Sequence, residues 1–116
     1  MNTKINYMYR DAANYKIHCE EVVKGEIDEK VCEEILEDMD CEPFYPANIG
    51  FRAPTFVSQG YKPYDDDPDC HELYDLELTD EEPTVGMTAE EFVEAFRSGK
   101  ISERSYKPEM PYTPGK

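Results

Sequence analysis

The chain has 116 residues, of which 27 are acidic and 12 basic, and its formal net charge at pH 7 is −15. This length fits one domain with a modest core, and the negative charge argues against direct binding to nucleic-acid backbones or anionic membranes, which need basic patches. No apolar run is long enough for a membrane helix, and no signal-peptide segment is visible. We therefore expect a cytoplasmic protein with reduced cysteines.

Two strands are predicted near the N-terminus. Aromatic residues alternate through residues 5–10, and residues 15–23 place Ile17, Cys19 and Val23 on one face by the two-residue period of a strand. The sequence DAAN between them is suited to a turn, so the two segments predict a β-hairpin. The tyrosines at its tip are expected to pack against the sheet with their hydroxyls at the rim.

A helix is predicted between Ile27 and Asp40, with Asp28 as its N-cap. Apolar residues recur at helical spacing and form one stripe, while the opposite side is mostly acidic. We expect the stripe to lie across one face of the hairpin. It consists of Val31, Cys32, Ile35, Leu36 and Met39.

The middle of the chain is less regular. Prolines at positions 43 and 46 exclude a regular helix there, and the aromatic residues around them predict a packed loop or a short edge segment. Residues 52–69 are rich in Pro, Gly and Asp and predict a long irregular loop. The sequence HELYDLEL then alternates as a strand over residues 71–78, with Tyr74, Leu76 and Leu78 on its inner face.

A second helix is predicted over residues 89–98. Thr88 and Glu91 have the spacing of a capping box, and Gly99 is suited to the C-terminal end. The sequence therefore predicts an α+β fold: a small antiparallel sheet of three or four strands with two short helices, in the order β-β-α-(β)-β-α. Residues 1–102 form this single domain, with its irregular loop at about 52–69, and the Pro-rich residues 103–116 form a loose tail.

Two segments carry a resemblance. The hairpin sequence YRDAANYK and the later EPTVGMTAEE resemble a group of small acidic proteins from gut bacteria and their mobile elements. The resemblance spans about two thirds of the chain and leaves out the middle loop and the tail. It implies a bacterial or phage-related source, and no activity, cofactor or site residue comes with it.

Metal sites and catalysis find little support in the sequence. Asp65, Asp67 and Asp69 have the spacing of calcium ligands, but Cys70 and Leu76 stand where an EF-hand needs glycine and an acidic ligand. Four cysteines and two histidines occur without the CxxC spacing of a zinc site, and no nucleophile or phosphate-binding motif is present. We expect no metal, no cofactor and no enzymatic activity.

The most distinctive feature is an acidic segment, residues 65–82, that contains no lysine or arginine. A charge run of this kind is either a solvated face or an anionic array presented to a partner. On a strand, Asp75 and Glu77 would share a face about 6.6 Å apart, on the scale of the charge spacing of duplex DNA. The candidate partner-binding residues are Asp65, Asp66, Asp67, Asp69, Glu72, Asp75, Glu77, Asp80, Glu81 and Glu82.

The function predicted from this segment is that of a non-enzymatic, acidic protein that binds or regulates another protein. Its partner would be a basic protein, or the basic groove of a nucleic-acid-binding protein. One alternative is a DNA-mimicking inhibitor of a bacterial defence or regulatory protein. Another is a module that binds a small ligand or metal through the middle loop. The sequence leaves the oligomeric state open.

Overall fold

The structure, a computed structural model, describes residues 1–56 and 70–103. One antiparallel sheet has the strand order β2-β1-β3, with the hairpin strands β1 and β2 side by side and β3 on the other side of β1. The order β-β-α-β-α confirms the predicted α+β fold. The elements are β1 (Asn2–Arg10), β2 (Lys16–Val23), α1 (Glu29–Met39), β3 (Glu72–Thr79) and α2 (Ala89–Arg97), with short 3₁₀ helices at Pro46–Ile49 and Lys100–Ser102.

The hairpin turn is stabilised by one side chain. Oδ1 of Asp11 accepts hydrogen bonds from the backbone N–H groups of Ala13 at 3.0 Å and Tyr15 at 2.8 Å. Asn14 has a φ of 70°, a left-handed conformation that asparagine tolerates better than most residues. The DAAN sequence therefore supplies both features that this turn requires.

The core lies on one face of the sheet. Ile5, Tyr7 and Tyr9 of β1 point into it, and Tyr7 packs edge-on against Phe44 with ring centroids 5.2 Å apart. The Tyr7 hydroxyl donates to the carbonyl oxygen of Arg52 at 2.6 Å, which satisfies the polar end of a fully buried ring. Residues 40–51 thus form a packed loop, and an isolated bridge between Phe44 and His71 joins this loop to the start of β3.

Both helices begin where the sequence predicts. The Asp28 carboxylate accepts from the N–H of Lys30 at 2.8 Å, and Thr88 and Glu91 form a complete capping box. The second helix ends at Arg97, one residue before the predicted end, and Gly99 follows with a φ of 82°. No described helix is long and apolar enough to cross a membrane.

The predicted facing of β3 is partly wrong. A register shift opposite Asn6 and Tyr7 adds one residue to β3, and a bulge of this kind interrupts the strict alternation of faces. Leu76 is buried as predicted, but Leu73 is buried as well and Tyr74 is 45% exposed. Leu78 pairs with Thr3 near the end of the strand and is 49% exposed.

The connection after β3 crosses the sheet to the far edge of β2. There Thr84 exchanges hydrogen bonds with the backbone of Val22, and Thr88 forms a parallel bridge with Lys24. The α2 helix therefore starts beside β2. Most of the predicted irregular loop and of the predicted loose tail lies outside the described residues.

Candidate functional site

The acidic segment is partly neutralised by the neighbouring strand β1. Glu72 forms a two-point ion pair with Arg10, at 2.8 Å and 3.2 Å, and Glu81 forms an ion pair with Lys4. Glu77 accepts a hydrogen bond from the Asn6 amide at 3.0 Å. The segment lacks basic residues in sequence, but the sheet brings two of them against it.

The ion pair between Lys4 and Glu81 shifts the pKa of both groups. The hydrogen bond from Lys4 lowers the pKa of the Glu81 carboxyl, and the same bond raises the pKa of the Lys4 ammonium group. Glu81 also accepts from the Thr79 hydroxyl at 3.1 Å, so its carboxylate is occupied within the chain. Glu72, Glu77 and Glu81 are therefore less available to a partner than the sequence suggests.

The remaining candidates divide into two groups. Asp75, Asp80 and Glu82 form no side-chain hydrogen bond or ion pair within residues 1–56 and 70–103, and Asp80 and Glu82 are exposed. The other four, Asp65, Asp66, Asp67 and Asp69, lie outside the described residues.

A denser acidic surface lies on α1, on the side that the sequence predicts to be mostly acidic. Nine acidic residues and one basic residue, Lys30, occur between Glu26 and Glu42, and all nine acidic residues are exposed. Four of these nine residues lie on the outer side of α1 or at its C-terminal end, and we call them the acidic helix surface. These four are Glu29, Glu33, Glu37 and Asp40.

Few cations reach this part of the molecule. In the part of the chain that the structure describes, Glu34 pairs with Arg97 of α2 at 3.5 Å and Glu26 pairs with the N-terminal amine at 3.4 Å. No residue of the acidic helix surface forms an ion pair there. Glu29, Glu33 and Glu37 recur every four residues, about 6 Å apart along the axis, so their charges repel one another.

Glu21 of β2 carries a buried carboxylate. Glu21, whose side chain is 5% exposed, accepts from the Thr84 hydroxyl at 2.7 Å and from the backbone N–H of Arg52 at 3.0 Å. The Arg52 guanidinium adds a bond at 3.2 Å and also donates to the carbonyl oxygen of Glu20. This carboxylate fixes two connecting segments to β2 and is a structural group, with every bond made inside the chain.

The cysteines and histidines do not assemble into a metal site. No group of three or more metal-binding side chains occurs among the described residues. Cys19 is buried, Cys32 and Cys70 are half-buried and Cys41 is exposed. Burial, the largest cause, raises the pKa of the Cys19 and Cys32 thiols, which disfavours the thiolate form that binds metals and attacks substrates.

An open cleft of about 440 Å³ lies between the end of α1 and the start of β3 and is lined in part by Met39, Cys41, Cys70 and His71. His71 is 2% exposed, and its Nε2 donates to the carbonyl oxygen of Pro54 at 2.9 Å. Burial lowers the pKa of His71 because the charged imidazolium would be desolvated. We assign this histidine a structural role beneath the cleft.

The two tyrosines at the tip of the hairpin differ in burial. Tyr9 is 2% exposed and packs against the rings of Phe56 and His71, as the packing interpretation predicts. Tyr15 is 67% exposed, although its ring contacts Phe56.

The comparisons with known proteins add no relative. No family model matches the chain, and neither the curated proteins nor the solved structures give a match.

Proposed function

We propose that this chain is a non-enzymatic, acidic protein that binds a basic protein, with the acidic helix surface as its main contact. The observation that carries the proposal is the charge imbalance of this surface: its four carboxylates are exposed, and no described cation pairs with them.

Repulsion within this surface lowers the stability of the chain. Like charges at i and i+4 each cost about 0.2–0.5 kcal/mol on a helix, and the acidic helix surface contains two such pairs, Glu29 with Glu33 and Glu33 with Glu37. A cationic partner would remove this repulsion on binding, so association is favoured beyond the direct contacts. Such a complex forms fast at low ionic strength and weakens as salt screens the charges.

A DNA-mimicking inhibitor is the second candidate, and the charge density of α1 favours it. Six carboxylates lie from Glu29 to Asp40, a helical length of about 17 Å. One charge per about 3 Å is close to the roughly 3.4 Å per charge along one strand of DNA. The basic groove of a nucleic-acid-binding protein is then the expected partner.

A small-ligand or metal module has less support. Its proposed middle loop lies mostly outside the described residues, and the cleft beside His71 is open to solvent.

Affinity capture tests the proposal. The immobilised chain is exposed to a bacterial lysate at low salt, beside a helix variant with Glu29→Gln, Glu33→Gln, Glu37→Gln and Asp40→Asn. A control variant carries the same charge change elsewhere, as Asp80→Asn, Glu82→Gln, Glu90→Gln and Glu94→Gln. We expect the wild type and the control to capture the same basic protein and the helix variant to lose it.

Equal capture by both variants would contradict the role of the helix. Competition with duplex DNA separates the two candidates, because a DNA mimic occupies the groove that DNA needs, whereas another basic surface is unaffected.

A further inference from the structure

Among residues 1–56 and 70–103, the outer edge of β3 has no partner strand along much of its length. β3 is an edge strand of the sheet, and after the bridge from Phe44 to His71 no backbone hydrogen bond reaches its outer side from residues 1–56 or 70–103. Unpaired N–H and C=O groups on such an edge are a template for another extended chain.

The register identifies which backbone groups of β3 turn toward this outer edge. The N–H and C=O of Val22 both bond to Thr84, so they point away from β1. Lys4 lies opposite Val22 and therefore turns its own backbone groups toward Glu77 of β3. The residues on either side of Glu77, which are Leu76 and Leu78, consequently turn their N–H and C=O groups outward.

The α1 helix forms one wall beside this edge. The ion pair between Glu34 and Arg97 marks the side of α1 that faces α2. At about 100° per residue, the opposite side carries the half-buried Cys32 and Leu36.

Acidic residues of the same helix border this wall. The helix packs on β3, and at its end Leu36 shares the open cleft with Leu73 and Tyr74. By their positions, Cys32 and Leu36 of α1 lie beside Leu76 and Leu78 of β3, and Glu29, Glu33 and Asp40 lie on the adjoining side of the helix. We call this surface the edge groove, and the three acidic residues its acidic rim.

We infer that the edge groove binds an extended, basic segment of another protein, which adds to β3 as a further strand. Backbone bonds to Leu76 and Leu78 would give affinity, and apolar side chains of the added strand would cover Leu78, which is 49% exposed. The acidic rim selects a cationic segment. A second copy of this chain is disfavoured, because its net charge of −15 would bring two acidic rims together.

This inference rests on the proposed function and adds the mode of binding. Its test uses nitrogen-15-labelled full chain and a short capped peptide in which valine and lysine alternate. A matched peptide is N-methylated at alternate residues, which keeps its charge but removes the bonds to a strand edge. We expect the amide signals of Leu76 and Leu78 to shift and to gain protection from exchange, and N-methylation to weaken binding at least about tenfold.

Equal affinity for both peptides, with shifts confined to α1, would overturn strand addition and leave the binding of a basic protein standing. Absence of any change at Leu76 and Leu78 would overturn it as well. Protection of the Leu76 and Leu78 amides without peptide, in a chain that sediments as a dimer, would also overturn it, because a second copy would then occupy the edge.

A pair of variants at one position completes the test. Leu78→Pro removes an outward N–H, which an edge strand tolerates, and Leu78→Thr keeps it in a residue that favours strands. With both variants folded, we expect Leu78→Pro to weaken peptide binding at least about tenfold relative to Leu78→Thr. Equal binding by the two folded variants would overturn the inference.

Discussion

Nε2 of His71 donates a hydrogen bond to the carbonyl oxygen of Pro54 at 2.9 Å and thereby joins the two described segments on either side of residues 57–69. A carbonyl oxygen only accepts, so the proton of the neutral ring is on Nε2. Nδ1 is buried and has no hydrogen-bond partner among the described residues. A second proton on this ring would therefore create a buried charge with one nitrogen unpaired.

We predict that acid destabilises the chain through His71. Burial lowers the pKa of His71 from its ordinary value of 6.5, so the unfolded chain binds more protons than the folded chain just below that pH. The free energy of unfolding should then fall as the pH drops from 6.5 toward the lower pKa of the folded state. Urea unfolding across this range measures the effect. His71→Gln should flatten the dependence, and an equally steep curve in that variant would refute the assignment.

The second prediction concerns the buried carboxylate of Glu21. Glu21→Gln places an amide N–H₂ group against the donors of Thr84 and Arg52, and we expect it to lower the free energy of unfolding by about 1–3 kcal/mol. Glu20→Gln is the control, since the Glu20 side chain is exposed and, among the described residues, pairs with Lys4 alone, at 3.5 Å. Denaturant midpoints measure both, and equal midpoints for the two variants would show that Glu21 does not fix the connecting segments.

The third prediction compares two variants that each remove one negative charge but should change stability in opposite directions. Glu33→Gln removes the repulsion with both Glu29 and Glu37, and we expect a gain of roughly 0.4–1 kcal/mol at low salt. Glu72→Gln makes the same charge change but breaks the ion pair with Arg10, so it should lower stability. Thermal midpoints at low and high salt measure both effects. A loss of stability in Glu33→Gln would mean that a cation neutralises α1 in the unbound chain.

The fourth prediction orders the cysteines by reactivity. Cys41 is exposed, whereas burial raises the pKa of the Cys19 and Cys32 thiols and so lowers their thiolate content at neutral pH. We expect an alkylating reagent to modify Cys41 well before Cys19 or Cys32, as followed by mass spectrometry of peptides. Rapid alkylation of Cys32 in the folded chain would place the apolar stripe of α1 in solvent and contradict the packing described above.

Local signals predicted the helices well because their hydrogen bonds join close neighbours in sequence. Asp28 caps a group two residues away, and the bonds between Thr88 and Glu91 span three residues. The bulge in β3 depends on its pairing with β1, so the alternation of HELYDLEL suggested the wrong face for Tyr74.

The candidate site was harder to predict for the same reason. Arg10 reaches Glu72 across 62 positions of sequence, so the acidic segment looked unneutralised when its own residues alone were considered. The repeat of Glu29, Glu33 and Glu37 was visible in sequence, but only the fold shows that Arg97 reaches Glu34 and no member of that repeat. One sequence pattern indicated that Glu21 is buried, because Glu21 lies between Cys19 and Val23 in the two-residue period of the inward face of β2.

The affinity of the captured basic protein for the wild type, the helix variant and the control variant tests the central claim most directly. It is measured at ionic strengths of about 0.01 M and about 0.15 M, where the Debye length falls from about 30 Å to about 8 Å. At the lower ionic strength, we predict that the helix variant binds at least about tenfold more weakly than the wild type, a difference of about 1.4 kcal/mol, and that the control binds as the wild type does. The helix variant should also lose less affinity as salt is added. Equal dissociation constants for the helix variant and the wild type at both ionic strengths would contradict the proposed role of the acidic helix surface.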